Sequence, residues 1–128
     1  MKSLQDRFAL SATALLGFLA VVAGAIGSHP PEGFLDSPSA REGWNTAAAF
    51  LLFHALAALA IADLPKGSRG RFRATGNLFL LGAVLFSGSI FGLAAGLPSW
   101  LGPVTPLGGL FLLAGWLVLA VQLARGPR

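Results

Sequence analysis

The 128-residue chain contains no cysteine and no tyrosine, and its only methionine is the first residue. Without cysteine, disulfide bonds and thiolate metal sites are excluded. Only 11% of the residues are charged, whereas a soluble domain has roughly a quarter. A soluble protein of this size would need an improbably large apolar core. The composition therefore argues against a soluble protein.

What the chain has instead is four long apolar runs without a single Asp, Glu, Lys or Arg: residues 8–27, 44–62, 74–96 and 106–124. About 20 residues of α-helix are needed to cross the ~30 Å hydrocarbon core of a bilayer. A charge at the centre of a membrane helix costs at least ~2.5 kcal/mol, which explains why the runs contain none. The runs predict four transmembrane helices in a single membrane domain that covers residues 1–128.

The connections between the runs are short, so successive helices are expected to be antiparallel neighbours. The simplest fold is an all-α, integral membrane, up-down four-helix bundle. The first connection, residues 28–43, contains three prolines and two glycines and is predicted to be irregular. The second connection, residues 63–73, is predicted to be a tight basic loop.

The basic residues are distributed unevenly along the chain. Eight of the nine lie before the first run, in the connection 63–73 or after residue 124, and only Arg41 lies elsewhere. The positive-inside rule makes the side with the eight residues cytoplasmic. Both termini are therefore predicted to be cytoplasmic, and the bacterial inner membrane is the expected location. Membrane lipids are expected partners of the basic residues, and a nucleic-acid site is not expected because almost no aromatic side chains accompany them.

The first run has one competing interpretation, a cleaved signal peptide. Lys2 and Arg7 precede the apolar run, and residues 23–25 resemble a small-residue cleavage site. The run is nevertheless long enough to span a bilayer, and its removal would destroy the asymmetry of basic residues. An uncleaved first helix is predicted.

Glycines recur at spacings of four or seven, which place them on one face of a helix. These glycines are Gly17 and Gly24 in the first run, Gly88 and Gly92 in the third, and Gly108 and Gly115 in the fourth. Small residues on one face let helix backbones approach closely in a bilayer. We expect these faces to pack helix against helix, and a pore or ligand groove is the alternative.

His54 is the only titratable side chain within a predicted span. It follows Trp44, which marks the outer membrane interface, by ten residues, or about 15 Å of helix. Counted from the other helix ends, Ser87 or Ser89 and Trp116 lie at a similar depth. A buried imidazole needs hydrogen-bond partners for both ring nitrogens. The pattern predicts a mid-membrane polar layer in which His54 faces the interior and is neutral at pH 7.

Three interpretations of His54 are open: a structural hydrogen-bonded clasp, a proton or solute relay, and a haem or metal ligand. The clasp is favoured, although intramembrane ionisable groups are often functional. Metal ligation lacks partners, because the only other histidine, His29, lies about 15 Å nearer the outer surface. No metal site and no cofactor are therefore predicted. His29 and Thr105 are candidates for contacts at the outer face.

Four stretches of the sequence resemble one family of small membrane proteins: residues 24–29, 53–59, 85–91, and 105–109 with 115–116. This is domain-of-unknown-function family 423, which is bacterial with a eukaryotic branch. The resemblance implies four spans and singles out His29, His54, Ser87, Gly88, Ser89, Thr105, Pro106, Gly108 and Gly109. The family offers no established activity, so the resemblance supports the fold more than a function.

The sequence contains no recognisable catalytic set, neither a Ser-His-Asp combination nor paired carboxylates nor a phosphate-binding glycine loop. The leading hypothesis is a non-enzymatic structural or accessory membrane protein, in a homo-oligomer or beside a larger complex. The alternative is a small transporter or channel that uses His54, Ser87 and Ser89. A haem or redox subunit is a third, weaker possibility.

Overall fold

The computed structural model describes residues 2–126, and this part of the chain is almost entirely helical. It contains α1 (Leu4–Ser28), α2 (Pro38–Ala62), α3 (Lys66–Ala94) and α4 (Val104–Ala124), with a short 3-10 turn at Ser99–Leu101. Each of the four α-helices is long and apolar enough to cross a membrane. The prediction of an all-α fold with four spans is confirmed.

Contacts near the helix ends show that α1 and α2 run in opposite directions. Lys2, just before α1, contacts Asp63 at the end of α2. Trp44, early in α2, donates a hydrogen bond to the carbonyl of Ala23, late in α1. Successive helices form the main packing contacts, with α1 on α2, α2 on α3 and α3 on α4. The α2–α3 pair is therefore the centre of the protein.

The other helices also alternate in direction. Only residues 63–65 connect α2 to α3, so these two helices are antiparallel. Thr75, near the start of α3, donates a 2.8 Å hydrogen bond to Gln122, near the end of α4. The N-terminus of α1 and the C-terminus of α4 consequently lie on the same side of the protein. Arg128, which is one of the basic residues assigned to this side, lies outside the described residues.

All four helices begin before their apolar runs, α2 by six residues and α3 by eight. α2 begins at Pro38 because the Ser37 hydroxyl accepts a backbone N–H of the first turn at 3.1 Å, and proline is well suited to the first helical position. α3 begins at Lys66, so the basic loop predicted for residues 63–73 is mostly helix. Both extensions contain polar residues, and an apolar run therefore gives no sign of them.

Small side chains fill much of the space between the helices, and large apolar side chains face outward. The core includes Ala20, Leu51, Ala58, Phe79, Ala83 and Leu112. The outward-facing side chains include Leu15, Phe18, Val21, Leu113 and Leu117. Such an exposed apolar surface would be unusual on a soluble monomer. In a bilayer it contacts acyl chains, and close packing of small residues holds the helices together.

Three of the predicted packing glycines lie at close contacts. A Cβ atom on Gly108 would lie 2.3 Å from the backbone nitrogen of Phe86 in α3. A Cβ atom on Gly115 would lie 2.8 Å from the ring of Phe79. A Cβ atom on Gly92 would come within 2.9 Å of a leucine in the loop after α3. The first two positions thus allow α3 and α4 to pack closely.

The other three predicted packing glycines lie on open faces, and they are Gly17, Gly24 and Gly88. A Cβ atom at any of them would meet no atom within 4 Å. The structure differs from the prediction here because glycine spacing defines a helix face but not the neighbour of that face. Two glycines that were not predicted to pack against a neighbour lie at close contacts instead. A Cβ atom on Gly82 would lie 2.7 Å from Leu112, and one on Gly27 would lie 2.8 Å from Trp44.

Two ion pairs join the helix ends on the side of the termini. The Arg69 guanidinium lies 2.5 Å from Asp6 of α1, and their side chains are only 11% and 12% exposed. Arg69 also donates two hydrogen bonds to the carbonyl of Leu64. Lys2 and Asp63 form a more exposed pair at 2.5 Å. The Lys2 ammonium holds the pKa of the Asp63 carboxyl below its usual range.

Candidate functional site

The candidate site is built around His54, which is 5% exposed. Its Nδ1 atom lies 2.7 Å from the carbonyl oxygen of Phe50, one turn earlier in α2. The indole N–H of Trp116 in α4 donates to His54 Nε2 at 3.0 Å. Because an indole nitrogen can only donate, Nε2 must accept, and Nδ1 carries the proton that is donated to Phe50. The geometry therefore assigns a neutral imidazole that is protonated on Nδ1.

Aromatic rings surround the hydrogen bond between His54 and Trp116. The ring centres of Phe50 and Phe79 lie 5.7 and 5.6 Å from that of the imidazole. The Phe79 ring also lies 4.9 Å from the Trp116 ring. In such apolar surroundings a hydrogen bond is electrostatically stronger than in water, and an unpaired polar group is costly. The site thus favours a fully paired histidine.

An apolar groove between α2 and α4, the α2/α4 groove, leads to this hydrogen bond. The groove has a volume of about 900 Å³, and its lining includes Phe53, Phe86, Pro106, Leu110 and Leu113. It follows α4 from Pro106 to Trp116, which is about 15 Å along the helix axis. The Trp116 side chain is half exposed in the groove, and His54 lies behind it. In a bilayer this groove opens toward acyl chains.

The two serines of the predicted layer lie elsewhere. Ser87 donates to the carbonyl of Ala47 at 2.7 Å, and Ala47 is seven residues from His54, or about 10 Å along α2. Ser89 and Thr105 share a hydrogen bond of 2.6 Å between their hydroxyl groups. The structure therefore brings His54 and Trp116 together and places the serines nearer the side opposite the termini.

The offset of the serines follows from the register between α2 and α3. The depth estimate for Ser87 assumed that the two helices end level, at Trp44 and Gly96. α2 instead begins six residues before Trp44, and α3 ends at Ala94. The α3 residue beside His54 is consequently Phe79, eight positions before Ser87 in the chain.

The outer-face candidates do not form one site. His29 caps the end of α1, where its backbone N–H donates to Ala25 at 3.0 Å, and it is exposed. The hydroxyl group of Thr105 is hydrogen-bonded to that of Ser89. Within residues 2–126, no three side chains of His, Asp or Glu lie close enough to hold a metal ion. A haem would have to displace the Trp116 indole from His54 Nε2.

Sequence reasoning missed a buried indole. Trp44, the expected marker of the membrane interface, is only 7% exposed. It packs between Phe34 and Phe91, with ring centres 5.2 and 4.6 Å away. Its N–H donates to the Ala23 carbonyl at 2.7 Å. The only available signal in the sequence was Gly27, whose position lies against this ring, since glycine at a helix contact leaves room for a large side chain.

Comparison with known proteins identifies the relatives of this chain. The family described as "Protein of unknown function (DUF423)" matches residues 23–109, which is more than half of the chain. The chain belongs to the DUF423 family. The resemblance inferred from the four sequence stretches is therefore confirmed. The matched part of this DUF423 protein includes His54 and the two serines, whereas Trp116 lies beyond it.

Relatives of this DUF423 protein occur in a yeast and in bacteria. It is 41% identical over 113 residues to the UPF0382 membrane protein C1782.12c of Schizosaccharomyces pombe, covering 84% of this chain and 94% of the relative. It is 34% identical over 110 residues to the UPF0382 membrane protein YwdK of Bacillus subtilis, covering 84% and 89%. A Haemophilus influenzae UPF0382 membrane protein is 33% identical over 112 residues, with coverage of 87% and 89%. No solved structure matches the chain significantly.

Proposed function

We propose that this DUF423 protein is a non-enzymatic structural or accessory protein of the bacterial inner membrane, with both termini in the cytoplasm. The observation that carries the proposal is the pairing of both His54 ring nitrogens, one with Phe50 and one with Trp116. The excess of basic residues on the side of the termini supports the orientation.

A relay residue needs a ring nitrogen that can exchange a proton with water or a substrate. In His54, the Nε2 lone pair accepts the Trp116 indole proton, and the Nδ1 proton is donated to Phe50. The Trp116 indole holds its proton too tightly to pass it on, and the Phe50 carbonyl is too weak a base to take one. These contacts support a structural role for His54, in which its hydrogen bond with Trp116 joins α4 to α2. This hydrogen bond is the clasp.

Several other polar side chains within the helices serve the same purpose. Ser87 joins α3 to α2 through the Ala47 carbonyl. Two further hydrogen bonds join α3 to α4, namely Ser89 with Thr105 and Thr75 with Gln122. Hydrogen bonds of this kind hold membrane helices together. These polar groups are thus accounted for by helix association.

The proposal includes association with further helices, either in a homo-oligomer or beside a larger membrane complex. The open glycine faces support this part, because small residues permit close helix approach. Co-purification in a mild detergent tests it directly. Recovery of a stable oligomer or of stoichiometric partner chains supports the proposal, and a monomer recovered alone under several mild conditions contradicts this part of it.

The clasp predicts energetic coupling between His54 and Trp116. We expect His54→Ala and Trp116→Phe each to lower the free energy of unfolding. The double variant should lose about 1 kcal/mol less than the sum of the two, since hydrogen bonds between membrane helices have values of that order. Unfolding by sodium dodecyl sulfate in mixed micelles measures all four proteins under the same conditions.

Ser87→Ala combined with Trp116→Phe is the matched control, because these two residues share no hydrogen bond. This pair should be additive. If the losses of stability in His54→Ala and Trp116→Phe were also additive, the result would contradict the clasp. A His54→Ala variant that unfolds like the wild type but loses the effect of the protein in cells would favour the relay.

A further inference from the structure

A separate cavity of about 360 Å³ lies between α1, α2 and α3 at the end of the protein that holds both termini. This volume is within the range of small-molecule sites, about 300–1,000 Å³. The cavity lining changes along the helix axes. Its polar end includes Gln5, Asp6, Arg69 and Arg73, and its deeper end includes Ala9, Ala12, Ala58 and Leu80.

The polar end of the cavity carries one unbalanced positive charge. Asp6 and Arg69 neutralise each other in their 2.5 Å ion pair. Arg73 lies one turn further along α3 and is exposed, and it forms no ion pair within residues 2–126. Asn77, another turn deeper, adds an uncharged hydrogen-bonding group to the lining. The cavity is therefore suited to a ligand with a single negative charge.

The apolar end of the cavity is formed by small residues. Ala9 and Ala12 line it from α1, and Ala58 lines it from α2. Their short side chains leave an open slot between α1 and α3. Leu80 lies seven residues beyond Arg73, which is about 10 Å deeper along the helix axis. The lining thus changes from charged to apolar over the distance that separates the headgroup region from the hydrocarbon of one leaflet.

We propose that this cavity binds one anionic phospholipid from the leaflet on the side of the termini. Its phosphodiester group accepts hydrogen bonds from the Arg73 guanidinium, whose paired N–H groups match two phosphate oxygens. One acyl chain lies in the slot between the alanines and Leu80. The single negative charge of the headgroup balances the charge of Arg73. This site is independent of the His54–Trp116 clasp, which involves different residues.

Native mass spectrometry of the detergent-solubilised full chain tests the proposal. The probe is dioleoylphosphatidylglycerol, compared with dioleoylphosphatidylcholine. We expect one tightly bound phosphatidylglycerol and weaker binding of phosphatidylcholine. Arg73→Gln should weaken phosphatidylglycerol binding about tenfold, the scale of one lost charge-assisted hydrogen bond. Arg7→Gln is the control, because it removes the same charge from the same side without altering the cavity lining.

A second variant tests the acyl-chain slot. Ala12→Phe leaves every charge in place and fills the apolar end, so it should also weaken phosphatidylglycerol binding at least tenfold. Glycerophosphoglycerol, the same headgroup without acyl chains, should not compete at equal concentration. Equal losses in Arg7→Gln and Arg73→Gln would overturn the proposal, because they would indicate diffuse surface attraction. Unchanged binding in Ala12→Phe, or full competition by the free headgroup, would also overturn it.

Discussion

Gly108→Ala is expected to lower the free energy of unfolding by about 3 kcal/mol, at the upper end of the cost of overpacking. The added Cβ would lie 2.3 Å from the backbone nitrogen of Phe86 and 2.8 Å from its Cα atom. A backbone cannot rotate away as a side chain can, so α3 and α4 would have to separate. That separation would remove the van der Waals packing that holds two bilayer helices together.

Gly109→Ala is the matched control for this prediction. A Cβ atom at Gly109 would make ordinary contact, 3.8 Å from the Phe86 ring. Because alanine favours a helix over glycine by up to ~1 kcal/mol, this variant should be as stable as the wild type or more stable. Unfolding by sodium dodecyl sulfate compares the two variants. Similar losses of stability in both would contradict the close contact between α3 and α4 at Gly108.

Phe79→Ala is expected to be about as damaging, with a loss near 3 kcal/mol, the lower end of the range for buried Phe→Ala changes. The Phe79 side chain is fully buried. Its ring contacts His54 and Trp116 and fills the space above Gly115. Removing the ring would leave a cavity next to the clasp, and the surrounding helices could close it only in part.

Phe53→Ala is the matched control, since Phe53 is 60% exposed on the outward side of α2. Its ring is in contact with detergent or lipid in both the folded and the unfolded state, so truncation should cost less than ~1 kcal/mol. The same unfolding assay applies. If Phe53→Ala were as destabilising as Phe79→Ala, the assignment of inward and outward faces of the helices would be wrong.

The four spans could be predicted because the bilayer imposes a minimum length of apolar helix. The helices end within two residues of the predicted spans, but the starts of α2 and α3 could not be predicted, because they depend on local contacts outside the hydrocarbon. Ser37 starts α2 through a single hydrogen bond, and the basic turns after Lys66 look like a loop in a hydropathy pattern. These local ends then set the register between helices, which decides whether Phe79 or Ser87 lies beside His54.

The need of His54 for two hydrogen-bond partners could be stated from chemistry alone. The rise per residue of an α-helix predicted a suitable depth for Trp116. In the structure, the Trp116 indole nitrogen lies 3.0 Å from His54 Nε2. The other partner, the carbonyl of Phe50, gives no sequence signal because every residue has one. The ion pair between Asp6 and Arg69 could not be predicted either, since nothing in the sequence links these two residues, which are 63 positions apart.

Nitrogen-15 NMR of the histidine-labelled protein in detergent micelles at pH 7 tests the central claim most directly. The chain has two histidines, so His29→Gln assigns the His54 resonances. The hydrogen-bonded clasp predicts a proton on His54 Nδ1 and a bare Nε2 that accepts a hydrogen bond, and in Trp116→Phe the Nε2 resonance should shift most. A proton on Nε2, or on both ring nitrogens, would contradict it.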